Sequence, residues 1–239
     1  MFNTFILIPL TNSLVFLTSF LWGNIGLAVI ILTILVKFVL LPFSYSTTKN
    51  QIAIKKIQPL IDDIKKKHPD STEQTKKIME LYKEHNTNPL SGCLPLLIQL
   101  PIIIGLYQVF LKGVSVDPIL LYSFVHAPEQ LSNMFLGLNM TDKSILVALI
   151  AGITQYFQLK LSPSFQNTTS GVSTDISPDM QTVMMENMQK TMKYSLPIMI
   201  TFFAAIVPAA VALYWVTSNM FMIGQEYWIN KKLQQKTTI

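Results

Sequence analysis

Residues 25–43 read IGLAVIILTILVKFVLLPF, an apolar run with one charged side chain, Lys37. About 20 mostly apolar residues form a helix long enough to cross roughly 30 Å of hydrocarbon, so this run predicts a transmembrane helix. A lysine inside such a helix costs about 2.5–3.5 kcal/mol on insertion scales and marks a candidate functional site. Lys37 lies about 9 Å along the helix from Phe43, so a snorkelling side chain that just reaches the interface is the alternative.

The composition of the whole chain is that of a membrane protein. Half of the 239 residues are hydrophobic and 13% are charged, against about a quarter charged in soluble domains. The single cysteine excludes an internal disulfide, and three scattered histidines do not suggest a metal site, so no metal or cofactor is predicted. With the run at 25–43, four further apolar runs predict an all-α fold with five transmembrane helices: Cys93–Leu111, Ile145–Leu161, Leu196–Val207 and Ala209–Trp228.

The N-terminal segment is apolar but interrupted. Pro9 and the polar residues Thr11, Asn12 and Ser13 break the run Phe5–Trp22, which favours an amphipathic helix at the membrane interface over a sixth span. No cleavable signal is expected there. The predicted organisation is an interfacial helix at 1–23, a first span at 24–44, a cytoplasmic helical hairpin at 45–88, a second span at 89–112, an extracytoplasmic loop at 113–142, a third span at 143–162, a cytoplasmic loop at 163–194, the fourth and fifth spans at 195–229 and a short cytoplasmic tail at 230–239.

The segment between the first two spans reads as an αα-hairpin. His68-Pro69-Asp70 separates two helical stretches, and Ser71 with Gln74 resembles a capping box. Each stretch has an apolar stripe at helical spacing, formed by Ile54, Ile57, Ile61 and Ile64 and by Ile78, Leu81 and Tyr82.

Lysine placement predicts the orientation. Of the 18 basic residues, fifteen lie in the hairpin, at the end of the third span and in the loop after it, or in the C-terminal tail, whereas Lys112 and Lys143 flank the other side. The positive-inside rule then places the N-terminus outside and the C-terminus in the cytoplasm.

Polar residues gather in the cytoplasmic half of the predicted spans. Thr33 lies one turn from Lys37, and Gln99, Gln158 and Asn219 lie in the second, third and fifth spans. Each alone is more often interhelical hydrogen-bonding, but together they predict a wet cavity open to the cytoplasm. No acidic residue lies deep in a span, since Glu226 is near the end of the last one. The anion for Lys37 is therefore expected from something passing through.

Two further observations narrow the function. The fourth span covers only about 18–24 Å of helix, so it must thin the bilayer or line something wet. The sequence has no phosphate loop, G-x-S-x-G or H-E-x-x-H motif, so neither an enzyme nor nucleotide-driven work is expected.

A small transporter or channel is the alternative function, although no intramembrane acid or repeat supports it. An intramembrane hydrolase would need a nucleophile–base pair, which the sequence lacks. The methionines at positions 180, 184, 185, 188 and 192 predict an amphipathic helix in which these side chains serve ordinary packing.

Four ordered blocks resemble the YidC/Oxa/Alb membrane insertases. They are NPLSGCLPLLIQLP at 88–101, LYWVTSN at 213–219, TILVK at 33–37 followed by Leu41-Pro42, and Gln58-Pro59. The resemblance covers about residues 26–231 and implies five core spans around a hydrophilic groove that is open to the cytoplasm and to lipid. It implies that Lys37, Gln158 and Trp215 occupy groove positions.

The resemblance also implies partners and a bacterial cytoplasmic-membrane location. Clients are nascent membrane proteins, received from ribosomes alone or alongside the Sec translocon, and no nucleic acid is bound directly. The family usually has arginine at the position of Lys37; lysine keeps the charge but lacks the planar, bidentate fork. The short tail after Trp228 weakens the expectation of ribosome contact.

Overall fold

The computed structural model describes residues 2–68, 70–88, 91, 94–111, 121–126, 128, 131–162 and 194–235. These ranges are mostly helical, in agreement with the predicted class. In chain order they contain α1 (Asn3–Phe20, π-helical over Asn3–Leu7), α2 (Ile25–Val39), α3 (Leu41–Lys67), α4 (Ser71–Glu84), α5 (Leu94–Leu111), the strands β1 (Met134–Phe135) and β2 (Leu138–Asn139), α6 (Ile145–Leu161), α7 (Tyr194–Ile206) and α8 (Ala209–Gln235).

The helix limits match some of the predicted spans and correct others. α6 has the predicted limits and α5 begins one residue after the predicted start. The first span was predicted to run to Phe43, but α2 ends at Val39 and α3 begins at Leu41. Pro42 has no N–H to donate to the hydrogen-bond ladder of α2, which explains the break.

Length and composition single out α1. Among the described residues, Asn3–Phe20 is the one helix long and apolar enough to cross a membrane by itself. The broken pair α2 and α3 passes the same test together, whereas Leu97–Phe110, α6 and α7 are apolar but shorter. The interfacial placement of residues 1–23 and the count of five spans therefore stay predictions.

The chain divides into two compact units, and the first holds the larger apolar core. It comprises Met1–Leu41, Leu96–Tyr156 and Pro197–Met222. Small residues bring helices close together within it: a Cβ at Gly152 of α6 would collide with the Thr201 side chain of α7. Its fully buried apolar residues include Leu14, Ile25, Val29, Leu106, Met140 and Val211.

The segment before α6, which lies in the predicted extracytoplasmic loop at 113–142, contains the short β1–β2 hairpin. The Phe135 ring lies against Gly26, where a Cβ would collide with it. Further along, backbone carbonyls of this loop accept the first N–H groups of α8: Ala209 N donates to Asp142 O at 2.7 Å and Ala210 N to Met140 O at 2.9 Å.

The second unit comprises Pro42–Pro95, Phe157–Leu196 and Ile223–Ile239. The helices α3 and α4 occupy the two predicted halves of the hairpin, and Ile57 and Ile61 are buried. The predicted capping box is wrong by one residue: Asp70 is the N-cap of α4, and its carboxylate accepts from Thr72 N at 3.0 Å. Aspartate can cap an exposed N–H as well as serine can. The predicted methionine helix at 180–192 lies outside the described residues.

Candidate functional site

The buried lysine of α2 contacts two other helices of the first unit. Lys37 is only 7% exposed. Its Nζ donates to Gln99 Oε1 of α5 at 3.2 Å and lies 3.5 Å from Met222 Sδ of α8. The sequence placed Gln99 in the same half of the predicted spans as Lys37, and the structure brings the two side chains into direct contact.

A tyrosine hydroxyl fixes the orientation of Gln99. Gln99 Nε2 donates to the Tyr214 hydroxyl oxygen of α8 at 2.6 Å, so the amide oxygen is the end that faces Lys37. Tyr214 is 2% exposed. We refer to Lys37, Gln99 and Tyr214 as the lysine relay. Sequence reasoning missed Tyr214, although a buried tyrosine usually needs a partner for its hydroxyl.

The lysine relay contains no carboxylate. The ion pairs found in the described part of the chain join Glu73 to His68 and to Lys77, both within the second unit, and neither involves Lys37. A buried ammonium that is bonded only to neutral acceptors lacks the charge-assisted partner that would stabilise it most. The arrangement is therefore suited to receiving an anionic oxygen.

Two other predicted site residues, Thr33 and Trp215, make contacts outside the lysine relay. Thr33 is buried, and its hydroxyl donates to Val29 O of the same helix at 2.6 Å. The Trp215 ring packs edge-on against Phe203, with ring centroids 6.0 Å apart.

Asn219 bonds to a different helix. Its Nδ2 donates to Thr154 Oγ1 at 3.3 Å and lies 3.5 Å from Ala151 O, both on α6. Asn219 is buried, so this contact is interhelical hydrogen-bonding of the kind that the sequence offered as the alternative.

Gln158 lies in the second unit and bonds to an acid. Its Nε2 donates to Glu226 Oε1 of α8 at 3.4 Å. Glu226 is 6% exposed, and its Oε2 has no hydrogen-bond partner among the residues that the structure describes. The sequence placed Glu226 near the end of the last span and did not indicate its burial.

The first unit also contains a cavity of about 770 Å³ between α1, α2, α5 and the segment Tyr122–Val125. Its lining is mainly apolar and includes Val36 and Ile98, the chain neighbours of Lys37 and Gln99. None of the six predicted site residues lines it. The wet groove inferred from the sequence therefore stays a prediction.

Comparisons with known proteins agree on one family. The model of the family "60Kd inner membrane protein" matches residues 16–236. A protein of Oceanobacillus iheyensis named membrane protein insertase YidC is 32% identical over 88% of this chain and 76% of its own length. Proteins of the same name from Pelobacter propionicus and Oleidesulfovibrio alaskensis are each 32% identical, over 87% and 96% of this chain.

The chain spans only part of some of these proteins. It covers 35% of the length of the Pelobacter relative and 39% of the length of the Oleidesulfovibrio relative. A crystal structure described as an active YidC insertase with the first transmembrane domain resolved has a TM-score of 0.60 and 25% identity. That likeness covers 93% of this chain and 45% of the crystallised one. The family match over residues 16–236 and the Oceanobacillus relative establish that this chain belongs to the 60Kd inner membrane protein family.

Proposed function

We propose that the chain is a membrane protein insertase, which moves apolar segments of client proteins from the cytoplasm into the lipid bilayer without hydrolysing a nucleotide. The observation that carries this proposal is the buried Lys37 ammonium, which has neutral partners in the lysine relay. Family membership and the insertase names of the similar proteins support it.

In this mechanism an acidic residue in the short translocated tail of a client displaces Gln99 from Lys37. A carboxylate adds Coulomb attraction to the ammonium that the neutral amide of Gln99 lacks, and this favours the exchange. Trp215 and Asn219 would border a hydrophilic groove that opens as the tail enters. No covalent step is involved.

The apolar part of the client would use the cavity beside α2 and α5. Val36 and Ile98 line that cavity, next to Lys37 and Gln99 in the chain. An amphipathic client would therefore find apolar and cationic contacts on the same two helices. Burial of its apolar surface contributes about 25 cal/mol per Å² and drives release into lipid. α7, about 20 Å long, would shorten the barrier by thinning the bilayer.

The proposed partners are nascent membrane proteins and lipid, with or without the Sec translocon. We propose an orientation with the N-terminus outside and the C-terminus in the cytoplasm, based on the lysine distribution.

The test is insertion into vesicles reconstituted with the full chain, using two clients that differ only in an acidic or a neutral tail. We expect Lys37→Ala to reduce insertion of the acidic-tailed client roughly tenfold or more, since a hydrogen bond to a charged group contributes about 1.5–3 kcal/mol. The neutral-tailed client should insert nearly normally, and Lys37→Arg should restore the acidic one.

Lys143→Ala is the matched control, because Lys143 is an exposed lysine. Equal insertion of the acidic-tailed client by the Lys37→Ala and Lys143→Ala variants would exclude the electrostatic step. Failure of the unmodified chain to insert either client would exclude the proposed function itself.

A further inference from the structure

Two turns in the first unit hold a bulky apolar residue in a left-handed backbone conformation. Trp22 and Leu136 each have φ of 50°, and each is followed by a glycine, Gly23 or Gly137, with φ of 78°. Asparagine or glycine normally occupies the first of these positions, because a side chain with a bulky Cβ substituent raises the conformational free energy.

Both side chains also point away from the protein. Trp22 is 91% exposed and Leu136 is 85% exposed. A Cβ built on Gly137 would meet nothing within 4 Å, so the tip of the hairpin is open. The neighbours Phe20 and Met134 are exposed as well. Trp22 and Leu136 thus combine a strained backbone conformation with an exposed apolar side chain, and the described residues leave both side chains uncovered.

Backbone hydrogen bonds hold the two turns at the same end of α2. Ser132 N donates to Gly23 O at 2.9 Å, and Ile25 N donates to Ser132 O at 3.3 Å. The Phe135 ring lies against Gly26, in the first turn of α2. Trp22 and Leu136 therefore lie at the same end of α2, and we define the two-turn patch as the exposed residues there: Phe20, Trp22, Met134 and Leu136.

The chemistry of the two-turn patch fits lipid. Residues 20–36 and 131–141 contain no charged side chain, so nothing there would pair with a charged protein partner. The 15 residues of α2 extend about 22 Å, short of the roughly 30 Å hydrocarbon core. The exposed apolar surface continues from the patch along α2 through Leu27 and Leu35. Tryptophan is enriched where such a helix meets the headgroups.

We propose that the two-turn patch is a lipid-binding surface that inserts into the membrane interface at the N-terminal end of α2. It lengthens the apolar surface of that helix and fixes its depth. This inference does not depend on insertase activity, because it concerns only how the chain is seated in the bilayer.

Fluorescence in phosphatidylcholine vesicles tests the proposal with the full chain. In one variant, Trp215→Phe and Trp228→Phe leave Trp22 as the only tryptophan. In another, Cys93→Ser with Leu136→Cys carries an environment-sensitive NBD label. We expect blue-shifted emission from both probes, quenching by lipids with the quencher near the headgroup more than by lipids with it near the chain end, and protection from aqueous iodide. The control is a label at Glu80→Cys, an exposed residue of α4, which iodide should quench strongly.

Iodide quenching at Trp22 and Leu136 as strong as at Glu80 would overturn the proposal, as would protection of only one turn. Stronger quenching from the bilayer centre than from the headgroup region would also overturn the interfacial depth. The Trp22 variant keeps the native residue in its turn, so strong iodide quenching of Trp22 overturns the proposal even if the label at Leu136 disturbs the hairpin.

Discussion

At the Lys37 ammonium, the two acceptors have different strengths: the amide oxygen of Gln99 is a good acceptor and the thioether of Met222 a weak one. The good acceptor is available only while the Gln99 amide keeps its orientation. Tyr214 sets that orientation by accepting from the other end of the amide. Tyr214 therefore determines which end of the Gln99 amide is presented to Lys37.

Replacement of Tyr214 by phenylalanine should destabilise the chain. The hydroxyl is lost with little change of volume, and Gln99 Nε2 becomes a buried donor without an acceptor, at a cost of about 1–3 kcal/mol. Thermal unfolding in detergent measures the effect. Tyr227→Phe, at an exposed tyrosine of α8, should leave the midpoint unchanged; equal midpoints for the two variants would show that Tyr214 does not support the amide.

Glu226 should tolerate glutamine but not alanine. An amide oxygen can still accept from Gln158 Nε2, and an NH₂ group replaces the unpartnered Oε2. Alanine leaves a void and removes an acceptor from Gln158, so we expect a loss of about 1–3 kcal/mol for Glu226→Ala and no loss for Glu226→Gln. Unfolding midpoints of the two variants check this, and a larger loss for glutamine would indicate that the negative charge itself is required.

Sequence reasoning identified part of the candidate site at this scale. A charged residue in an apolar run is conspicuous, and Gln99 was placed in the same half of the spans, but the direct contact between them was not predicted. Tyr214 was missed because the first half of α8 is apolar on all sides, so periodicity does not reveal which face is turned toward α5. The same limit left the neighbours of Asn219 and Trp215 undetermined.

Among the helices, α6 and α7 approach closely at Gly152. A methyl group there would collide with the Thr201 side chain and reach the carbonyl of Pro197 at 3.3 Å. Thr201 has little freedom to move away, because its hydroxyl donates to that same carbonyl at 2.8 Å. Small residues allow this kind of contact between membrane helices.

Gly152→Ala should therefore lower stability by about 1–3 kcal/mol through overpacking. Gly224 of α8 is the matched control, because a Cβ there would meet nothing within 4 Å. Alanine forms helices better than glycine by up to about 1 kcal/mol, so Gly224→Ala should be neutral or stabilising. Unfolding midpoints that fall equally in both variants would contradict the close contact.

The helices were predicted well where the apolar run alone sets their ends, and poorly where a proline or a tertiary contact sets the local structure. The limits of α6 follow from its apolar run alone. α2 ends before the predicted limit because Pro42 interrupts its hydrogen bonds. This proline is visible in the sequence, but the first span was predicted to run past it. The β1–β2 hairpin has two-residue strands, too short for an alternating pattern, and Phe135 is placed by its contact with Gly26.

For the molecule as a whole, the lysine distribution predicts which loops face the cytoplasm. Cys93 is the one cysteine, so a Cys93→Ser background allows single-cysteine labelling. With a membrane-impermeant maleimide, we expect Lys143→Cys to react in intact cells and Glu80→Cys only after the membrane is permeabilised. The opposite pattern would reverse the proposed orientation.

The carbonyls that receive the first N–H groups of α8 have a consequence for the order of assembly. Met140 and Asp142 precede α8 by about 70 residues in the sequence, so they leave the ribosome first. When Ala209 and Ala210 are synthesised, their hydrogen-bond acceptors already exist on the growing chain. The corner between α7 and α8 can therefore be completed without a polar loop of its own, and vectorial synthesis provides the acceptors for the last helix before that helix arrives.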